Sequence, residues 1–178
     1  MDETPQDGER PVDLALRLAV AKARAVAVRH PNALVLGSDQ VADLGGQAIG
    51  KPGTHDRAVE QLKAMSGRRV VFHTAVAVVC AASGVEAVRH SPVQVDFREL
   101  APWEIETYLR LETPYDCAGS ARSEGLGIAL LSRVESSDPT SLIGLPLSMV
   151  CELLRQAGWD PIRMRVAATP ADAVRSDA

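Results

Sequence analysis

Asp39, Lys51 and Lys22 are the residues of this chain whose types and spacing most invite a chemical reading. Asp39 stands in Gly37-Ser38-Asp39-Gln40, an acid and an amide directly after the apolar run Ala33-Leu34-Val35-Leu36. A short run of that kind fits a strand buried on both faces, and an acid at its carboxyl end is where an α/β sheet presents ligand-binding groups. A carboxylate capping the following turn accounts for the same residues, and position alone does not separate the two. Lys51 stands in Gly50-Lys51-Pro52. If Gly45-Gly46 is the turn of a hairpin joining strands over 41–44 and 47–50, facing residues have numbers summing to 91, which sets Lys51 opposite Gln40 and diagonal to Asp39.

Such a pair is either a surface ion pair worth at most about 1 kcal/mol, or a lysine on phosphate oxygens beside a carboxylate that holds Mg²⁺ or activates a water. Composition tilts toward the second. Of the 19 basic residues 16 are arginine, so Lys22, Lys51 and Lys63 are the only lysines. Lys63 falls on the polar side of a predicted helix. Lys22, at the border of another helix's apolar stripe, is either a second phosphate contact or a snorkelling side chain. A third polar cluster runs from Asp116 to Gly127, with three glycines among hydroxyls and opposite charges. Such a loop lets backbone N–H groups approach a ligand, but it lacks a Walker-type Gly-Lys-Ser/Thr, and a long turn explains it equally. Neither a Ser-His-Asp nor a Cys-His arrangement presents itself, so covalent catalysis is not expected.

The elements that must position these groups follow from periodicity. Helices are predicted over 11–29, where Val12, Leu16, Ala19, Ala23 and Val26 recur at helical period, and over 55–65, 102–111 and 146–157. Strands are predicted over 33–36, over the hairpin, over 70–82 and 85–100 as an antiparallel pair with one solvated face, over 127–134, and as a final edge over 161–166. Helices alternating with strands make an α/β protein with a mixed sheet flanked by helices. The predicted order sets the three polar clusters at loop ends. One domain over 1–167 is expected, with 168–178 a disordered Pro/Ala/Asp/Ser-rich tail.

Composition sets bounds. The chain has 178 residues, is 46% hydrophobic and 24% charged, and carries a formal charge of −4, which excludes collagen, coiled coil and wholesale disorder. No stretch is dense in Lys or Arg, so nucleic acid is not expected as a partner. The longest apolar run, 74–82, falls short of the roughly 20 residues that span a bilayer, and no signal peptide is recognisable. A cytoplasmic location with no membrane partner follows. Cys80, Cys117 and Cys151 are far apart and unaccompanied by histidine at ligand spacing, which reads as buried free thiols. His73, inside an apolar run, reads as a satisfied sheet residue.

Taken in order, Asp2-Glu3-Thr4, Ala21-Lys22-Ala23, Leu36-Gly37-Ser38-Asp39-Gln40-Val41, Gly50-Lys51-Pro52, Ser66-Gly67, Cys117-Ala118-Gly119-Ser120, Ser123-Glu124-Gly125-Leu126-Gly127 and Gly144-Leu145-Pro146-Leu147 resemble the Maf family of nucleoside triphosphate pyrophosphatases. The likeness covers nearly all of residues 1–158. It implies a strongly twisted sheet of the Maf/inosine-triphosphatase-like kind and a hydrolysis, dependent on Mg or Mn, that splits the α–β phosphoanhydride into a nucleoside monophosphate and pyrophosphate. By the same resemblance Asp39 is the catalytic acceptor of the water proton, Lys22 and Lys51 bind phosphate, Glu3 joins Asp39 at the metal, and the protein is a homodimer. Ser38-Asp39-Gln40 and the Cys117–Gly125 loop are similar to the subgroup acting on 7-methyl-GTP, whereas dTTP/UTP-type members carry Ala-Asp-Thr and Ile-Gln-Gly. Gln40 and Glu124 are therefore the base-specificity candidates, because N7-methylation makes guanine cationic and a carboxylate accepts from its N1–H and 2-amino group. An Arg122–Glu124 ion pair is the plainer reading of that loop carboxylate. Family members begin with a strand and a Ser-x-Ser-x-x-Arg loop upstream of the position matching Met1. By the resemblance, either Met1 falls downstream of the true start, or the domain is short of one strand and one phosphate-contacting arginine. Two other functions remain consistent with the residues: a catalytically silent, septum-formation-linked nucleotide binder, and a pyrophosphatase for dTTP or UTP.

Overall fold

The computed structural model describes residues 2–168. Helix α1 (Pro11–Ala27) leads into strands β1 (Val35–Leu44) and β2 (Gln47–Ile49), then α2 (His55–Met65), β3 (Arg69–Cys80), β4 (Val85–Phe97) and α3 (Pro102–Glu112). Two short 3₁₀ turns (Ala118–Ser120 and Leu126–Leu130) precede β5 (Leu131–Ser136), α4 (Leu147–Gln156) and α5 (Pro161–Ala168). The sheet order is β2-β1-β3-β4-β5, each neighbouring pair antiparallel. This is an α/β fold with helices against both faces of one sheet. No helix among the described residues is long and apolar enough to cross a membrane.

The α1 face is built from small residues. Pro11 opens α1 with φ preset for a helix. Ala15, Ala19, Ala23 and Ala27 then recur every fourth position, all buried, and lie on Val35, Ala75, Ala77 and Val79. Side chains this short let helix and sheet approach until Gly37 faces the helix backbone: a Cβ there would lie 2.3 Å from Ala19 O and 2.6 Å from Ala23 N. On the opposite face, Leu62 and Met65 of α2 and Ile105 and Leu109 of α3 cover Phe72, Val93 and Val95, while Val150 and Leu153 of α4 cover Val76 and Val78.

Several sequence expectations need correction. The predicted strand over 33–36 followed by a polar loop is one ten-residue strand, so Asp39 and Gln40 sit in mid-ladder, paired with Ala75 and Thr74. Gly37 serves the close approach of α1 rather than a turn, and the run is not buried on both faces, since Leu36 is 41% exposed. The Gly45-Gly46 turn and its register hold, Ala42 facing Ile49 and Leu44 facing Gln47, but the ladder stops at Ile49 and Lys51 lies beyond it. The solvated face predicted for the long pair is absent from β3, which is central and covered on both sides; the alternation survives only in the Val93, Val95, Phe97 half of β4. Residues 126–130 are a 3₁₀ turn, not strand, and Gly127 lies so close to the preceding turn that an added Cβ would fall 2.3 Å from the Arg122 carbonyl oxygen. The predicted edge strand over 161–166 is helix α5, which begins where Asp160 Oδ1 accepts from the backbone N–H of Ile162 at 2.8 Å and of Arg163 at 3.3 Å. The tail expected over 168–178 lies, after Ala168, outside the described residues. All three cysteines are free, Cys80 buried and the other two half-buried.

Candidate functional site

Three segments distant in sequence converge on Asp39. Its side chain, 9% exposed, leaves the middle of β1 toward α1, where Lys22 donates to Asp39 Oδ1 at 2.5 Å and to Glu3 Oε1 at 2.9 Å. The Gly37 contact explains why: it lets α1 lie close enough for a lysine one residue before Ala23 to reach a carboxylate two residues along β1. Burial pushes the Asp39 carboxyl above its ordinary value, with Lys22 pulling it partly back. The hydrogen bond from Lys22 holds Glu3 below the usual carboxylate range. Burial pulls Lys22 down, but its bonds to Asp39 and Glu3 outweigh that and leave it raised. Two carboxylates sharing one ammonium thus keep the lysine charged and spend two of its three N–H donors, leaving one for a ligand oxygen.

Lys51 makes no ion pair among the described residues, and it lines both clefts that meet at Asp39. The first, about 320 Å³, is bordered by Glu3, Pro5 and the α1 residues Leu14 and Leu18. The second, about 240 Å³, extends from Lys22 past Ile143 and Gly144 to Cys117, Asp116 and Glu124. Every candidate named from the sequence (Glu3, Lys22, Asp39, Gln40, Lys51 and Glu124) borders one or both. The second cleft thus carries both the lysines Lys22 and Lys51 and the carboxylates of Asp39, Asp116 and Glu124. The nearest ion-pair partner of Glu124 is Arg122 at 4.0 Å, and Glu124 is 57% exposed, so this contact leaves the carboxylate open to a ligand.

Gln40 is placed differently from the others. Its two amide hydrogens are shared among Thr74 Oγ1 at 2.8 Å, Ser141 O at 3.0 Å and Leu142 O at 3.1 Å. Thr74 donates to Ser141 O at 2.9 Å, and Ser91 Oγ meets Ser141 Oγ at 2.7 Å. Gln40, Thr74 and Ser91 occupy one row across β1, β3 and β4, so this buried polar row grips loop 138–144 against the sheet and holds Ile143 and Gly144 at the cleft wall. Ser38 adds a bond to Gly144 O at 2.6 Å.

Sequence reasoning missed this loop and its anchor, Asp138. Asp138 is 2% exposed and accepts from the backbone N–H and hydroxyl of Thr140 (2.8 and 2.5 Å) and of Ser148 (2.7 and 2.5 Å). Burial pushes its carboxyl up, but these donors outweigh it and bring it from 3.8 down to about 2. The spacing Asp-x-Thr before a Pro-opened helix is the signal that could have found it. A folded-state value below the unfolded one means stability that is present above 3.8 and lost as pH falls toward about 2, of about 2 kcal/mol. Asp138→Asn is expected to lower the thermal midpoint at neutral pH and to flatten the acid limb of the stability curve. Melts from about pH 6 down to about pH 2 read both.

Comparison with known proteins adds kinship to this geometry. A sequence model described as "Maf-like protein" matches residues 1–157. The chain is 61% identical over 158 residues to the 7-methyl-GTP pyrophosphatase of Polaromonas sp. strain JS666, covering 89% of this chain and 72% of that one. It is 58% identical over 158 residues to the protein of the same description from Albidiferax ferrireducens, covering 89% and 79%. With that of Thiobacillus denitrificans it shares 54% identity over 160 residues, covering 90% and 80%.

Proposed function

Because this chain belongs to the Maf family, we propose that it is a nucleoside triphosphate pyrophosphatase whose substrate is a nucleotide with a cationic base, 7-methyl-GTP. Water attacks the α-phosphorus, the bond to the bridging oxygen breaks, and the products are the nucleoside monophosphate and pyrophosphate. The observation that carries this reading is one cleft bordered by Lys22, Lys51 and Asp39 and also by the carboxylates of Asp116 and Glu124. Lysines and carboxylates in one cleft suit a ligand that carries both a polyanion and a cation.

In this reading Asp39 accepts the proton of the attacking water. Its raised carboxyl and its fixed place on the ladder suit a general base. The remaining donor of Lys22 and the ammonium of Lys51 hold phosphate oxygens. Glu124 accepts from the base edge, and we assign Gln40 to holding loop 138–144 rather than to reading the base, because its amide hydrogens are already committed.

Glu3 and Asp39 are hard oxygen donors 2.9 and 2.5 Å from the same ammonium, a set that fits Mg²⁺ or Mn²⁺. Among the described residues no three His, Cys, Asp or Glu side chains group around one point, which suits an ion completed by substrate phosphates and water. Bound there, the cation would neutralise charge developing on the phosphates. The formal charges of Glu3, Asp39, Lys22 and Lys51 cancel, so the site alone offers a tetra-anion no net attraction.

Pyrophosphate release from a panel of 7-methyl-GTP, GTP, dTTP and UTP, with Mg²⁺ or Mn²⁺, tests the reading. Highest kcat/KM on 7-methyl-GTP is expected, and Glu124→Gln should reduce the preference over GTP by about tenfold, the loss of one charge-assisted hydrogen bond. Preference for dTTP or UTP, or no turnover of any member, overturns it.

A further inference from the structure

Away from the cleft, the sheet carries a chain of polar side chains that the proposed hydrolysis does not use: Asp43 on β1, His73 on β3 and His90 on β4. His73 Nε2 lies 3.1 Å from Asp43 Oδ2, and His73 Nδ1 lies 2.9 Å from His90 Nε2. The two imidazoles are tilted by 37° with centroids 5.0 Å apart. Asp43 is itself fixed, because its other oxygen accepts the Gly46 N–H of the hairpin turn at 2.6 Å. An anchored carboxylate facing Nε2 keeps the proton on that nitrogen, so His73 presents the bare lone pair of Nδ1 toward His90. His73 is 13% exposed and Asp43 18% exposed at the side chain, and His90 is half-buried, which leaves the array within reach of solvent.

We propose that His73 Nδ1 and His90 Nε2 form a binding site for a borderline transition-metal dication, Zn²⁺ being the probe of choice, with Asp43 orienting His73 from behind. Two imidazole nitrogens on one tetrahedral zinc, each at about 2.0–2.1 Å, stand roughly 3.3 Å apart. The observed 2.9 Å comes within a few tenths of an ångström of that, and rotation about the side-chain bonds supplies the difference. The row of carboxylate, histidine and metal is the arrangement by which proteins fix the tautomer of a ligating imidazole and raise its basicity. Two protein ligands leave the remaining positions to water. Imidazole donors select zinc, nickel or copper, whereas the carboxylates at Glu3 and Asp39 suit Mg²⁺ or Mn²⁺, so the two sites differ in the ion they take.

Zinc titration of the full chain without nucleotide, followed by calorimetry, tests the site. One equivalent of Zn²⁺ is expected to bind wild type and Asp39→Asn alike, to be lost in His90→Ala, and to bind about 10–100-fold more weakly in Asp43→Asn. Far-UV circular dichroism checks that each variant is folded. In wild type, the ¹⁵N resonance of His73 Nδ1 should shift on addition of one equivalent, a readout that needs no variant. Unchanged stoichiometry in His90→Ala, an unmoved His73 resonance, or binding abolished by Asp39→Asn would each overturn the proposal and leave a hydrogen-bonded relay only.

Discussion

Asp39→Asn is expected to release pyrophosphate about 10²–10⁴ times more slowly than wild type, the range that a positioned general base contributes. The substitution keeps the shape of the side chain and removes its capacity to take a proton together with the charge it presents to Lys22 and to the cation. Lys22 is 30% exposed and retains Glu3 as a partner, so the variant does not strand a buried charge. At neutral pH it also removes the cost of holding a largely buried carboxylate ionised, which the raised carboxyl records. Loss of turnover with a nearly unchanged thermal midpoint is therefore the expected pair of results. In wild type kcat should fall on the acid side as Asp39 takes up a proton, because the carboxyl must be deprotonated to act. An Asp39→Asn enzyme retaining more than a tenth of wild-type turnover would assign the base elsewhere.

Gly37→Ala carries the largest expected effect on stability. The added methyl would sit 2.3 Å from Ala19 O and 2.6 Å from Ala23 N, both backbone atoms, so no side chain can rotate away and α1 as a whole must move. Overpacking costs about 1–3 kcal/mol where side chains can yield, and rigid backbone sets the expectation at the upper end. For a domain of this size that is a fall of roughly 5–10 °C in the thermal midpoint. The displaced helix also carries Lys22 away from Asp39, so kcat/KM should fall further than unfolding accounts for. Melts and kinetics below the transition separate the two effects. A variant as stable as wild type would mean that α1 is held less tightly than its alanine stripe implies.

Asp39, Lys22 and Lys51 were legible because their types are costly to place without a reason: an acid after an apolar run, and lysines in a chain that otherwise uses arginine. The local context of Asp39 was not. Gly-Ser-Asp-Gln reads as a loop because each residue disfavours a strand interior. Only the remote partners of Ser38 and Gln40, more than a hundred residues away at Gly144, Ser141 and Leu142, make those polar side chains tolerable in a ladder. The hairpin register needed only the position of its two glycines. Helix α5 was lost because a short segment with apolar residues on every side has no period to read, and its start depends on the Asp160 cap.

The groups proposed for hydrolysis and for base recognition rest on supports of very different stiffness. Asp39 is fixed by its ladder pairing with Ala75 of β3 and by Lys22, whereas Glu124 stands on a turn between two 3₁₀ segments with Arg122, at 4.0 Å, as its one ion-pair partner among the described residues. Substitutions of the exposed Glu124 leave the strand that carries Asp39 undisturbed, whereas a Cβ added at Gly119 of the same loop would lie 3.3 Å from Ala42 of that strand. A lineage of such proteins could then wander among nucleobases while its hydrolytic step stays under purifying selection. The same partition would let directed evolution retune substrate choice from a library confined to the exposed Asp116 and Glu124.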